Sequence, residues 1–226
     1  MSFLLFIETA TKNCSAALSH KGQCLGYLEA SEAQFSHSEK LHQFILKLLE
    51  SKGVSPKELS GVVVDKGPGS YTGLRIGVAT AKGLCYALKI PLISLDSLEV
   101  LAASLPIDSQ SYIIPMIDAR RMEVYTAVFD AQKKRIKPIW AEILQPQSFE
   151  AFSDSLRCII IGNAQEKAQT ILKAQSIEYY PNCIEPSAKD MIALGTQKFN
   201  ASVFEDLAYF EPFYLKEFYT TLPKNN

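Results

Sequence analysis

The spacing of apolar and polar positions changes period along the chain in a regular order. Short apolar or alternating runs at 3–8, 14–19 and 24–29 predict three successive strands, and the 3.6-residue spacing of Leu41, Phe44, Ile45 and Leu48 predicts a helix over 37–51. Strand 61–65, helix 72–88, strand 91–95 and helix 97–104 follow by the same criteria. The stretch from Pro106 to Ser111 breaks the pattern and marks a boundary.

Beyond it the order repeats, as strands 112–118, 122–130 and 134–143, a short helix near 147–153, strand 157–161, helix 164–174, strand 176–180 and helix 187–199. Local detail repeats too. "IETATKNCSAAL" (7–18) and "IDARRMEVYTAV" (117–128) align without a gap at an offset of 110 residues: an apolar residue, an acid, a turn, then a second strand. A duplicated α/β unit with three leading strands accounts for both halves. The expected domains are 1–105 and 106–226.

Composition narrows the class without naming a chemistry. With 226 residues, 47% apolar and 21% charged, the chain has the make-up of a soluble globule with a sizeable core. A formal net charge of −1 argues against a surface that binds nucleic acid by itself, because phosphate contacts need clustered Lys and Arg. The five cysteines (Cys14, Cys24, Cys85, Cys158, Cys183) are odd in number and form no Cys-x-x-Cys pair, so buried free thiols are expected rather than disulfides or a zinc site. The apolar run Phe3 to Ile7 ends at Glu8 with no basic region before it, which fits neither a signal peptide nor a membrane span, so a cytoplasmic protein is expected.

The stretch "DKGPGSYTGLRIG" (65–77) is the most distinctive. It is not a Walker A loop, since Gly73 is followed by Leu74 and Arg75, and Gly67, Gly69 and Gly73 are one residue too far apart for the dinucleotide fingerprint. Two readings stay open. Gly67, Gly69, Ser70 and Thr72 lead into a helix N-terminus, where free amides favour an anion; alternatively they build a tight turn that lets the helix pack closely. In the helix, Gly73, Gly77 and Ala81 form one ridge of small residues and Ala79, Gly83 and Ala87 another, which suggests two close neighbours. Leu74, Ile76, Val78, Leu84 and Leu88 leave only a narrow polar stripe of Arg75, Lys82 and the Tyr86 hydroxyl. In the preceding helix, Leu46 and Leu49 widen the core stripe to roughly 200°, about twice the usual face. The excess needs a second partner, either another protein or the second half of this chain.

An acid closing the first strand of each half resembles the actin, Hsp70 and sugar-kinase superfamily, where two ribonuclease H-like domains face each other across a nucleotide cleft. "KGPGSYTGLRIG", "IETAT" and "IDARRMEVY" narrow the resemblance, and over roughly 4–130 the chain is similar to the TsaB (YeaZ) family. The resemblance implies an α/β fold of two tandem actin-like (ribonuclease H-like) domains. It also implies a non-catalytic subunit that pairs with TsaD, the metal-bearing paralogue that transfers threonylcarbamoyl from threonylcarbamoyl-adenylate to an adenosine amine of tRNA, while the small ATPase TsaE docks on the pair. In such proteins the two long helices form the joining surface, here Leu41, Phe44, Ile45, Leu48, Gly73, Gly77, Ala81 and Leu84, with Arg75 as charged anchor. No cofactor is expected, nor any membrane; tRNA is reached only through the complex, and an unpaired subunit is expected to form a homodimer.

Departures from the superfamily point the same way. The catalytic paralogue carries His-x-x-x-His as metal ligands, whereas His37 and His42 are five apart, about 140° around a helix, and cannot share a helix-borne metal. The turns after Glu8 and Asp118 read Thr9-Ala10-Thr11 and Ala119-Arg120-Arg121, with no glycine to admit a phosphate, and only Gly162 stands where a Gly-Gly pair usually holds adenosine. Glu8 and Asp118 are therefore read as the acids of a degenerate nucleotide site. Ser70 has no G-x-S-x-G context, and none of the three histidines has a neighbourhood that marks it as a base. Two rivals remain: a small-molecule kinase of the same superfamily, and a peptidase.

Overall fold

The computed structural model describes residues 2–31, 37–105, 111–154, 156–173 and 176–216. The first half opens with β1 (Phe3–Glu8), β2 (Asn13–His20) and β3 (Gln23–Ser31), continues with α1 (His37–Lys52), β4 (Leu59–Asp65) and α2 (Tyr71–Leu88), and ends with β5 (Leu92–Leu95) and α3 (Ser97–Ser104). The second half contains β6 (Tyr112–Asp118), β7 (Glu123–Phe129), β8 (Arg135–Ile143), α4 (Glu150–Ser153), β9 (Cys158–Ile161), α5 (Gln165–Ile171), β10 (Ile177–Tyr179) and α6 (Ile192–Asn200). The two five-stranded sheets have the same order, β3-β2-β1-β4-β5 and β8-β7-β6-β9-β10. In each, the leading three strands are antiparallel and the next two add in parallel, so the expected duplication is present in the hydrogen bonding.

The central strands of each sheet are buried on both faces, which is why β1 and β9 and the Val62–Val64 part of β4 read as apolar runs, while the outer strands β3 and β8 stay largely exposed. α1 and α2 cover one face of the first sheet through Leu41, Ile45, Leu48, Val78, Ala81 and Cys85. Its other face is covered by α6 and the turn before it: Ala188, Met191 and Ile192 pack on Leu4, Phe6 and Val63, and a Cβ on Gly195 of α6 would lie 2.7 Å from the Phe6 ring. Leu98, Leu101 and Ala102 of α3 pack instead on Ile113, Ile117 and Phe129 of the second sheet. The terminal helix of each half thus crosses to the other sheet. The expected junction at 105/106 separates the sheets but not these helices, and 106–110 lie outside the described residues.

Three details differ from the sequence expectation. A 3-10 turn, Pro56–Glu58, precedes β4, held by a capping box in which Ser55 accepts from Lys57 N and Glu58 accepts from Ser55 N. The last helix begins at Ile192 rather than 187, because Ala188 N donates to Ser15 Oγ on β2 instead of opening a helix. The third concerns register. β1 and β2 place Glu8 opposite Ser15, but β6 and β7 place Asp118 opposite Val124, where a gapless repeat would put Tyr125. The second turn is therefore one residue tighter, and Arg120 (φ 68°) and Arg121 (φ 51°) take up the difference in left-handed backbone. That conformation costs an L-residue about 1–2 kcal/mol.

Candidate functional site

The glycine-rich loop meets the first turn backbone against backbone. Ser70 N donates to Ala10 O at 2.6 Å, and a Cβ on Gly69 would lie 2.2 Å from that same oxygen. One turn along, a Cβ on Gly73 would lie 2.1 Å from Thr9 O, and one on Gly77 would lie 2.2 Å from Thr9 Oγ1. Two of the amides an anion could use are already engaged: Gly67 N donates to Asp65 Oδ1 (2.6 Å) and Gly73 N to the Ser70 Oγ cap (3.3 Å). Thr72 is exposed and has no part in this contact. Close packing is what the glycines provide, and the anion reading loses these donors.

Behind the loop two carboxyls face each other in the interior. Glu8 and Asp65, at the ends of adjacent β1 and β4, are both fully buried. Glu8 Oε1 accepts from Ala10 N (2.6 Å), while Asp65 Oδ1 accepts from Gly67 N and from Ser97 Oγ (2.7 Å). Glu8 Oε2 and Asp65 Oδ2 find no other donor, and a proton held by Glu8 and donated to Asp65 satisfies both. Burial, then the Asp65 charge, pushes Glu8 well above the usual carboxylate range; burial also raises Asp65. Glu185 adds repulsion at Glu8, and Asp96, itself salt-bridged to Lys66 and Arg135, does so at Asp65.

A folded state that holds a proton more tightly than the unfolded chain loses stability as pH rises, from the unfolded Glu value of about 4.3 through Glu8's raised value. We expect melting temperature to fall as pH rises above the usual carboxylate range from this pair, and Glu8→Gln, which keeps a donor toward Asp65 without a titrating proton, to flatten that slope. Identical slopes for both proteins in thermal melts would refute the shared proton.

Asp118 does not join this pair. It is exposed, accepts from Lys167 Nζ at 2.5 Å and from Arg120 N, and its own amide donates to Asn163 Oδ1. Asn163 Nδ2 donates in turn to Glu185, which also lies in hydrogen-bonding reach of Thr11. A polar bridge of Asn163 and Glu185 thus spans the two turns, and the sequence-predicted acids end in unlike surroundings, one sealed and one paired with a lysine. Among the described residues no group of three or more metal-ligating side chains converges. His37 Nε2 sits 2.9 Å from Thr11 O and docks α1 on the first turn, while exposed His42 contacts Ser38 O. Cys14, Cys85, Cys158 and Cys183 are buried, and burial pushes the first three to about 11, about 12 and about 11; Cys24 is exposed.

The helix pair requires a correction. Leu41, Ile45, Leu48, Gly73, Gly77 and Ala81, expected at a partner surface, face inward, because the first sheet's apolar face uses their stripes. Phe44 and Leu84 are half-buried against the same core. Arg75 is exposed but already engaged, with its guanidinium 4.0 Å over the Tyr71 ring and its Nε 3.2 Å from Tyr214 Oη. The outward surface is made instead by the second ridge, Ala79, Gly83 and Ala87, flanked by Tyr86 (80% exposed) and, on α1, Leu46 (56% exposed). A Cβ on Gly83 would meet nothing within 4 Å. The C-terminal segment borders this face: Lys82 Nζ donates to Phe210 O at 2.8 Å, and Phe213 N donates to Lys66 O.

Two sheets of identical order, each led by an antiparallel triplet and exchanging terminal helices, define a protein of two tandem actin-like (ribonuclease H-like) domains. YeaZ from Pseudomonas aeruginosa shares this fold, with a TM-score of 0.81 and 24% identity over 95% of this chain and 100% of that one. The sequence matches the family described as "TsaD: tRNA N6-adenosine threonylcarbamoyltransferase" over residues 30–218. It is 25% identical to the tRNA threonylcarbamoyladenosine biosynthesis protein TsaB of Escherichia coli across 94% of each chain, and 45% identical to that of Bacillus subtilis across 42% of this chain and 41% of the relative. The chain belongs to this family, on its TsaB (YeaZ) branch.

Proposed function

We propose that the chain is the non-catalytic partner subunit of the assembly that forms threonylcarbamoyladenosine in tRNA, and that it docks on a TsaD-like catalytic subunit through the outer face of α1 and α2. One observation carries the docking. α2 is apolar almost all round, its first small ridge is filled by Thr9 of this chain, and its second ridge at Ala79, Gly83 and Ala87 lies open. A helix lying on that second ridge supplies the neighbour the composition calls for. The domains 1–105 and 106–226 act as one body because α3 and α6 cross between them. A TsaE-like ATPase joins the pair, tRNA is held only by the assembly, and without its partner the chain forms a homodimer. The setting is cytoplasmic; no helix among the described residues is long and apolar enough to cross a membrane.

The acids support a non-catalytic role: Glu8 is sealed and held well above the usual carboxylate range by burial and the Asp65 charge, Asp118 is salt-bridged to Lys167, and Glu185 hydrogen-bonds Asn163 between their turns. The purified chain is expected to show neither ATPase nor peptidase turnover above roughly 0.1 s⁻¹, below the typical enzyme range. Turnover above that, abolished in Glu8→Ala/Asp118→Ala, would return the kinase reading.

A further inference from the structure

Among the described residues, Arg120 and Arg121 are the one pair of adjacent non-glycine residues with positive φ. Both are exposed, and neither guanidinium is in an ion pair or hydrogen bond there. Glycine would relieve the backbone, so the arginines stand at a turn whose geometry does not favour them. The matching turn of the first lobe carries exposed Lys12, and the Asn163–Glu185 bridge joins the two turns. The nearby lysines are spent on acids, Lys167 on Asp118 and Lys216 on Glu123, which leaves Arg120 and Arg121 as the open cations of this rim, with exposed Lys12 close enough to act on the charge of Glu185.

We propose that this rim grips the phosphodiester backbone of the RNA substrate once the subunit is in its assembly, an inference that rests on the function proposed above. The layering favours an RNA strand over a mononucleotide. The cations stand at the surface while Glu185 is half-buried between the turns, Glu8 is sealed below, and exposed Asp118 is already paired with Lys167, so a triphosphate entering between the turns meets Glu185, whereas a strand lying across the rim meets arginine. Two or three such contacts add modest affinity and a marked salt dependence, consistent with a chain of net charge −1 that holds RNA weakly by itself.

The test uses the whole assembly with tRNA and compares wild type, Arg120→Gly/Arg121→Gly and Arg120→Lys/Arg121→Lys. The glycine variant is expected to melt no lower than wild type, yet to bind tRNA roughly tenfold more weakly, with a log K against log salt slope reduced by about 1 to 2. The lysine variant is expected to keep the slope. An unchanged slope in the glycine variant, within an assembly whose wild type modifies tRNA, overturns this inference alone; an assembly whose wild type binds no tRNA overturns the proposed function with it. ADP binding by the isolated chain that disappears in the glycine variant identifies a nucleotide phosphate as the ligand and also overturns the inference.

Discussion

Gly73→Ala is expected to remove a large part of the chain's stability, and Gly69→Ala to do nearly as much. The added methyls would lie 2.1 Å from Thr9 O and 2.2 Å from Ala10 O, and both obstacles are backbone. That backbone cannot easily yield, since Ala10 N is held by Glu8 and Ala10 O by Ser70 N. Overpacking typically costs about 1–3 kcal/mol and here belongs at or above the upper end, against about 5–15 kcal/mol in total for a folded protein. Gly77→Ala provides an internal control. Its methyl meets Thr9 Oγ1 at 2.2 Å but Thr9 Cβ at 3.4 Å, so Thr9→Ala removes the clash. Urea unfolding should show Gly77→Ala destabilised and Thr9→Ala/Gly77→Ala largely restored, while Gly73→Ala has no such rescue. A Gly73→Ala protein with the wild-type midpoint would mean that the loop and the turn are not in contact.

The second large effect is on assembly and leaves the fold alone. Leu at Gly83 enters open space and is a better helix former than Gly, so Gly83→Leu and Ala79→Leu are expected to melt at or above the wild-type temperature. On the proposed docking face the same side chains hold a partner helix away, at about 1–3 kcal/mol per site, or roughly 5- to 150-fold in affinity. Sedimentation of each variant with the catalytic subunit should show the loss, greatest in the double variant. Variants that fold and still pair at wild-type affinity would clear α2 of any part in docking.

Much of the architecture was legible because it rests on period and repetition. The offset between Ile7–Leu18 and Ile117–Val128 announced two like sheets, and the small residues of α2 announced a close neighbour, which for Gly73 and Gly77 is Thr9. Which ridge faced which neighbour was not legible. Gly73, Gly77 and Ala81 differ from Ala79, Gly83 and Ala87 only in what lies opposite, and Thr9 is more than sixty residues away in the chain. The Glu8–Asp65 pair had a faint signal, since Asp65 also closes an apolar strand, but a glycine-rich stretch following it drew attention to phosphate instead. The exchange of α3 and α6 left none, because a helix's stripe does not say which sheet it will cover. Nor did the one-residue tightening at Arg120 and Arg121, which a gapless alignment conceals.

The partner-subunit reading is tested most directly by measuring threonylcarbamoyl transfer to tRNA by the catalytic subunit and its ATPase, with and without this chain, while following pairing by sedimentation. The account predicts no transfer without the chain, transfer with it, and loss of both pairing and transfer with Ala79→Leu/Gly83→Leu. Full transfer in its absence, or transfer that persists when the outer ridge is blocked, would contradict it.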